Sequence, residues 1–363
     1  MTVHLGILGG GQLGRMLALS ARSLGLEVTV VDPSPDAPAR VAARHIALDY
    51  SAPDLLERLG SVDVVTYEFE NVPQEATERL ATRLPVLPGP TVLGVAQDRL
   101  NEKTTFQALG IDTPRFVRVD QSADVERAFA DLGPLVLKTR RFGYDGKGQV
   151  VVRTSAAAAA AFETIGGVPA IAEELVPFDL EVSAIVCRAQ GGQVARYPVT
   201  HNVHRQGILA VSEAPAAIPA ELAERAVSAA QKLAEHFSYV GVLALELFCV
   251  GGRLLANEFA PRVHNSGHWT IEGAKTSQFE NHVRAVCGLP LGSAELLSSS
   301  VMVNLIGSVP PAARILALPD VHLHDYGKDP RAGRKVGHVT ARAATIEEAR
   351  RLGAEIERII QQG

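Results

Sequence analysis

The chain has 363 residues, 47% of them hydrophobic, and a formal net charge of −5 at pH 7; this predicts two or three compact α/β units and excludes an intrinsically disordered chain. The charges form no long acidic or basic runs, which argues against nucleic acid or a membrane surface as the main partner and leaves small molecules. No apolar run approaches the roughly 18 residues of a bilayer span, no charged leader opens the chain, and Cys187, Cys249 and Cys287 are widely spaced in apolar surroundings, so reduced, buried thiols in a cytoplasmic protein are expected.

His4 to Leu8 reads as a buried strand, Leu13 to Leu24 as a helix with apolar spacing and Glu27 to Asp32 as a second strand, a βαβ unit. The turn between strand and helix, Gly9-Gly10-Gly11-Gln12-Leu13-Gly14, fits the GxGxxG pattern, and Asp32 stands where a ribose ligand would. A nicotinamide enzyme is one reading. The same turn offers a tight bend and a helix N-terminus to any anion, so fold alone is the other. "VDVVTYEFENVP" adds a strand that ends in Glu68 and Glu70, and "LPVLPGP" closes a small doubly wound region near Pro90. From "DRLNEKTTFQALGIDTP" onward the texture changes: a helix ended by Gly110 leads to strands broken by glycine turns. The alanine run 156–161 reads as a solvent-facing helix chosen for propensity. The last region, from about Ser298, holds "VMVNLIG", a turn-rich basic stretch and a terminal helix beginning near Thr345.

Four local features could carry chemistry. In "VGVLALELFCVGGRLLANEFAP", a hairpin turning at Gly251-Gly252 sets Glu246 nearly opposite Asn257 and Glu258. Two carboxylates on one sheet face repel unless a cation lies between them, and magnesium takes such oxygen ligands; the alternative is that one glutamate faces solvent. The loop Phe142-Gly143-Tyr144-Asp145-Gly146-Lys147-Gly148-Gln149 combines three glycines with a lysine, which suits close backbone approach to phosphate oxygens, and Lys138 points toward it from the preceding strand. A glycine-rich hairpin without a ligand is the plainer explanation. Arg262, His264, Asn265 and His268 crowd into "APRVHNSGHW", and Lys328, Arg331, Arg334 and Lys335 into "HLHDYGKDPRAGRKVGH". The first run offers an arginine fork and an amide oxygen; the second fits either a phosphate site or a solvated loop.

"GGGQLGRM", "RRFGYDGKGQ", "YPVTHNVHRQGIL", "NEFAPRVHNSGHWT" and "GRKVGH" occur in this order over nearly the whole chain. Together they resemble the 5-(carboxyamino)imidazole ribonucleotide synthetases, ATP-grasp enzymes of purine biosynthesis. The resemblance implies an α/β protein with a Rossmann-like N-terminal (pre-ATP-grasp) domain at 1–97, an ATP-grasp domain at 98–297 with a lid at about 115–177, and a small C-terminal domain at 298–363. It implies a cytoplasmic homodimer that takes ATP, magnesium, bicarbonate and 5-aminoimidazole ribonucleotide and works through carboxyphosphate.

By the same resemblance Arg99, Lys138, the loop Gly143, Tyr144, Asp145, Gly146, Lys147, Gly148 and Gln149, the stretch Glu173, Glu174, Leu175 and Val176, and Glu181, His204, Asn257 and Glu258 would hold ATP. Glu246, Glu258 and Asn265 would meet magnesium. Arg262 would steady carboxyphosphate, Tyr144 and Asp145 would face the imidazole with Asp145 as proton acceptor, and Lys147 and His264 complete the catalytic candidates. Gln12 with its backbone neighbours, Lys328, Arg334 and Lys335 would take the ribonucleotide. Lys147 stands where arginine is common, which keeps the charge but loses a bidentate fork. Asp32 becomes a strand-end residue. Another ATP-grasp ligase, such as the formate-dependent glycinamide ribonucleotide transformylase, would share the hairpin; "HNSGHWT" and the short C-terminal region argue against it.

Overall fold

The computed structural model describes residues 3–143 and 146–362, and Tyr144 and Asp145 lie outside them. The described residues form three sheets. The first is parallel, in the order Arg44–Ala47, Glu27–Asp32, His4–Leu8 and Val64–Tyr67. Side chains alternate between its faces. Leu8, Val31, Val65 and Tyr67 turn to a core with Leu55, Leu59 and Leu80. Leu5, Ile7, Val28 and Val30 turn the other way, to helix Gln12–Ser23, in a core shared with Trp269, Phe279, Val283 and Met302 from far along the chain. The N-terminal region is therefore welded to the rest by apolar burial, at about 25 cal/mol per Å².

The second sheet is antiparallel and orders Phe116–Val119, Ala170–Glu174, Leu135–Thr139 and Gln149–Val152. Helices Ser122–Leu132 and Ser155–Thr164 pack on it through Val125, Ala128, Ala158, Ala161 and Phe162. The alanine-rich helix is thus solvent-facing on one side only.

The third sheet has nine strands. Eight run Arg253–Ala260, Gly241–Val250, Leu180–Arg188, Thr200–Arg205, Ile208–Ala214, Ser299–Ile306, Lys335–Ala343 and Val321–Asp325, and Val194–Arg196 pairs with Leu180–Arg188. Helix Ala220–His236 covers one face over Leu243, Leu245 and Leu247. The opposite face, with Ile185, Val242 and Ala244, meets helix Gln278–Val286. The last three strands extend this same sheet, with Met302 opposite Ser212 and opposite Thr340. Helix Ile346–Gln362 packs on them through Ala349, Ile356 and Ile359. Thr345 and Glu348 bond each other's backbone N–H at its start, a capping box.

Cys187 and Cys249 are buried thiols, whereas Cys287 is only half-buried. Burial pushes its thiol up to about 12, so it is unreactive all the same.

Candidate active site

The hairpin sets the centre of the site. Gly251 and Gly252 have φ of 52° and 75°, as a two-residue turn with both central residues left-handed requires. Pairing runs back from Val250 opposite Arg253 to Glu246 opposite Glu258, with one irregularity that leaves Asn257 as an extra residue. Both carboxylates are held by cations or their equivalents. Glu246 Oε1 lies 2.9 Å from His264 Nε2, and Arg99 Nη1 donates to Glu258 Oε2 at 2.6 Å. Burial works to raise the Glu258 pKa, and the Arg99 guanidinium outweighs it and holds the carboxyl well below the usual range. Lys138 Nζ donates to Asn257 Oδ1 and to Glu173 Oε2, each at 3.2 Å. Burial would likewise raise Glu173, but Lys103 and Lys138 bring it down to about 2.

Among the described residues no three acidic, histidine or cysteine side chains gather as a metal centre. The donors that do converge, two carboxylates with amide oxygens nearby, are hard oxygens. They fit magnesium, which is bound by one or two carboxylates plus substrate phosphates. Asn265 is tied to Asn304, each amide donating to the other at 3.1 and 2.8 Å.

The glycine loop leaves the strand that carries Lys138 and returns on Gln149, which pairs with Lys138. Thr139 N donates to Gly148 O at 2.8 Å. Gly148 has φ +70°, and a Cβ there would sit 2.7 Å from Thr139 Oγ1, so only glycine fits. Gly143 and Lys147 flank the undescribed pair, with Lys147 exposed. Glu173 and Glu174 end strand Ala170–Glu174, and Leu175 N donates to Pro134 O as the chain continues to Val176. His204 Nδ1 lies 2.7 Å from Glu181 Oε2. Burial would lower His204, but Glu181 outweighs it and the pKa is raised, with Glu246 adding to the rise and Lys335 opposing it. His204 therefore lies within electrostatic reach of both the hairpin and the C-terminal basic residues.

Arg262 Nε donates to Glu70 and Nη1 to Val263 O at 3.0 Å. Lys328 Nζ donates to Gln12 Oε1, and Arg15 to Asp325 O, so the N-terminal turn and the C-terminal loop meet. Arg334 donates to Asp329 O at 3.3 Å within that loop. His268 is buried, with burial driving its pKa well down, and acts as a neutral core residue beside Phe279.

Three backbone amides of the glycine turn around Gln12 are taken up within the chain: Gly11 and Gly14 donate to the Glu68 carboxylate at 2.7 and 2.6 Å, and Gly10 to Asp32 Oδ2 at 2.7 Å. The anion that this helix N-terminus favours is supplied by the chain itself, which also removes the dinucleotide reading.

Comparison with known proteins accords with this geometry. The ribonucleotide synthetase preATP-grasp domain matches residues 1–97, the ATP-grasp domain 104–279 and the phosphoribosylaminoimidazole carboxylase C-terminal domain 300–352. The N5-carboxyaminoimidazole ribonucleotide synthase of Pseudomonas aeruginosa is 50% identical over 99% of this chain and 100% of its own. The chain belongs to the N5-carboxyaminoimidazole ribonucleotide synthase family. The synthetase of Thermus thermophilus superposes with a TM-score of 0.94 at 50% identity, covering 98% of both chains. The Aspergillus clavatus synthase, solved with ADP and 5-aminoimidazole ribonucleotide, gives 0.93 at 30% identity over 100% of this chain and 99% of that one. As a member of this family the chain is an ATP-dependent ligase with an ATP-grasp core.

Sequence reasoning missed several residues that shape the candidate site. Glu68 and Glu70 stood out only as a strand-end pair, yet one plugs the glycine turn and the other binds Arg262. Glu102 and Lys103 are buried, at 2% and 0% exposure. The available signal was their position three and four residues after Arg99, which puts all three on one helix face.

Proposed function

We propose that the chain joins bicarbonate to the amine of 5-aminoimidazole ribonucleotide at the expense of ATP, giving N5-carboxyaminoimidazole ribonucleotide, ADP and phosphate. Bicarbonate is a poor electrophile. A bicarbonate oxygen takes the γ-phosphoryl group, ADP leaves, and the resulting carboxyphosphate is attacked at carbon by the amine, which expels phosphate and loses a proton. The observation that carries this reading is the full-length relationship to N5-carboxyaminoimidazole ribonucleotide synthases, one of them solved with ADP and 5-aminoimidazole ribonucleotide; the opposition of Glu246 and Glu258 supports its ATP-dependent half.

Lys138 and Arg99 offer positive charge to the ATP phosphates, and Glu246 and Glu258, with Asn257 or Asn265, would hold magnesium. The ion, when bound, neutralises charge on the transferring phosphoryl group. Arg262 offers a rigid fork to carboxyphosphate, and Asp145 is proposed to accept the amine proton. Lys328, Arg334 and Lys335 take the ribonucleotide phosphate, and Gln12 contacts the ribonucleotide from the N-terminal turn. His264 keeps Glu246 oriented. The working unit is proposed to be a cytoplasmic homodimer, in line with the family resemblance and with three free cysteines.

The test is phosphate release with ATP and bicarbonate, with and without 5-aminoimidazole ribonucleotide. Release that requires the ribonucleotide is expected; release that requires glycinamide ribonucleotide and formate instead would defeat the reading.

Lys328 adds a pH dependence. Burial, reinforced by Arg334, lowers its pKa to about 8. Its ammonium is present below that value and lost above it, so kcat/KM for the ribonucleotide should fall as the pH rises through about 8. Lys328→Met should give a lower profile without that limb; an unchanged limb would assign the titration elsewhere.

A further inference from the structure

Strand Arg253–Ala260 is the outermost strand of the nine-stranded sheet, so one row of its backbone groups has no strand to pair with. A bulge falls inside it. Glu246 faces Glu258 while Leu247 faces Ala256, which leaves Asn257 as the extra residue. An extra residue breaks the ladder locally and re-aims the side chains around it. Those re-aimed here are Asn257 and Glu258, both assigned above to ATP and magnesium.

Helix Arg99–Ala108 packs along this edge. Arg99, Glu102 and Lys103 share the face turned to it. Lys103 Nζ donates to Ala256 O at 3.0 Å, and Glu102 Oε1 accepts from Phe259 N at 2.6 Å. These two backbone groups bracket the bulge. Side chains thus take the place of the missing strand, and Asp112 O accepts from Ala256 N at 2.7 Å to complete the row.

Both side chains are buried, where an ionisable group is costly unless every polar atom finds a partner. Lys103 has a second one in Glu173 Oε2 at 3.1 Å, the same oxygen that accepts from Lys138 at 3.2 Å. A leucine or methionine at either position would fill the space without that cost. It would also leave Phe259 N–H or Ala256 O buried and unpaired. The polar atoms of Glu102 and Lys103 are therefore kept for the two backbone groups they pair, and those groups flank the bulge.

We propose that Glu102 and Lys103 are positioning residues that lock the bulge at Asn257 and thereby set Glu258 opposite Glu246 at the spacing that binds the metal. They touch neither substrate nor metal. The inference rests on the reading of Glu246 and Glu258 as magnesium ligands.

The test compares wild type with Lys103→Met, Glu102→Leu and Glu102→Gln, the last keeping an acceptor oxygen for Phe259 N–H. Mn²⁺ binding in the presence of ADP is read from the electron paramagnetic resonance of free Mn²⁺, and hydrogen exchange is followed at the amides of 256–260. Lys103→Met and Glu102→Leu should weaken Mn²⁺ binding about tenfold or more, the usual effect of losing a residue that orients a ligand. Both should speed exchange at Phe259. Glu102→Gln should keep wild-type affinity and exchange, and the metal-free affinity for ADP should not change in Glu102→Leu or Glu102→Gln, neither of which alters the Lys103–Glu173–Lys138 contacts. Unchanged Mn²⁺ affinity in Lys103→Met and Glu102→Leu, with only a lower melting temperature, would overturn the proposal. Should Lys103→Met fail to fold, equal affinities for Glu102→Leu and Glu102→Gln would overturn it as well. Glu258→Gln is the control for the underlying reading: if it binds Mn²⁺ as wild type does, the metal assignment itself fails and this proposal with it. Weak binding in Glu258→Gln beside normal binding in Glu102→Leu defeats the positioning role alone.

Discussion

Glu258→Gln is expected to reduce ATP turnover by about 10³-fold, the scale of losing one preorganised charge-stabilising group. Glutamine matches glutamate in shape and can still accept from Arg99, which now lies 2.6 Å from the carboxylate, so the hairpin should stay folded. What disappears is the negative charge opposite Glu246. Magnesium binding then rests on one carboxylate, and raising the magnesium concentration should recover part of the rate. ADP release in the presence of bicarbonate and 5-aminoimidazole ribonucleotide is the measurement. Near-normal turnover at ordinary magnesium would remove Glu258 from the metal site.

Arg262→Ala should lower kcat about 10²-fold and release more than one ADP per molecule carboxylated, because carboxyphosphate would then be lost to water. The change has a structural side effect. Glu70, whose carboxyl Arg262 holds low against the opposing effect of burial, loses its counter-ion, and the melting temperature should drop. The double variant Arg262→Ala with Glu70→Gln separates the two consequences: it should regain the melting temperature and none of the coupling. Recovery of kcat in the double variant would reduce Arg262 to a counter-ion for Glu70.

How legible the site was depends on how local its determinants are. The glycine pair at 251 and 252 and the alternation on either side placed Glu246 near Glu258, because hairpin register follows from turn type. The bulge at Asn257 left no mark in the pattern, since one added residue changes pairing without changing composition. The GxGxxG turn could be recognised as a strand-to-helix bend, but not as one already filled. Glu68 reaches Gly11 from 57 residues away, through the parallel pairing of Val64–Tyr67 with His4–Leu8. Arg262 and Glu70 are 192 residues apart. Contacts of that kind depend on how the regions dock, and side-chain spacing along the chain carries no record of it. After Ser298 the terminal helix could be read, but the stretch read as turn-rich and basic is flanked by strands Val321–Asp325 and Lys335–Ala343, and their continuation of the central sheet follows from long-range pairing, such as that of Met302 with Ser212.

That shared sheet bears on attempts to cut the protein down. Strand Ile208–Ala214 keeps one side on Thr200–Arg205 and the other on Ser299–Ile306. A truncation before Ser298 would leave its outer backbone groups and the apolar Val211 bare, an open invitation to pair with another molecule. It would also strip Asn265 of its Asn304 partner, next to His264, which contacts Glu246 of the hairpin. Shortened versions should therefore precipitate, and swapping in a C-terminal region from another ligase would require matching the register of this strand pair as well as the loop that follows.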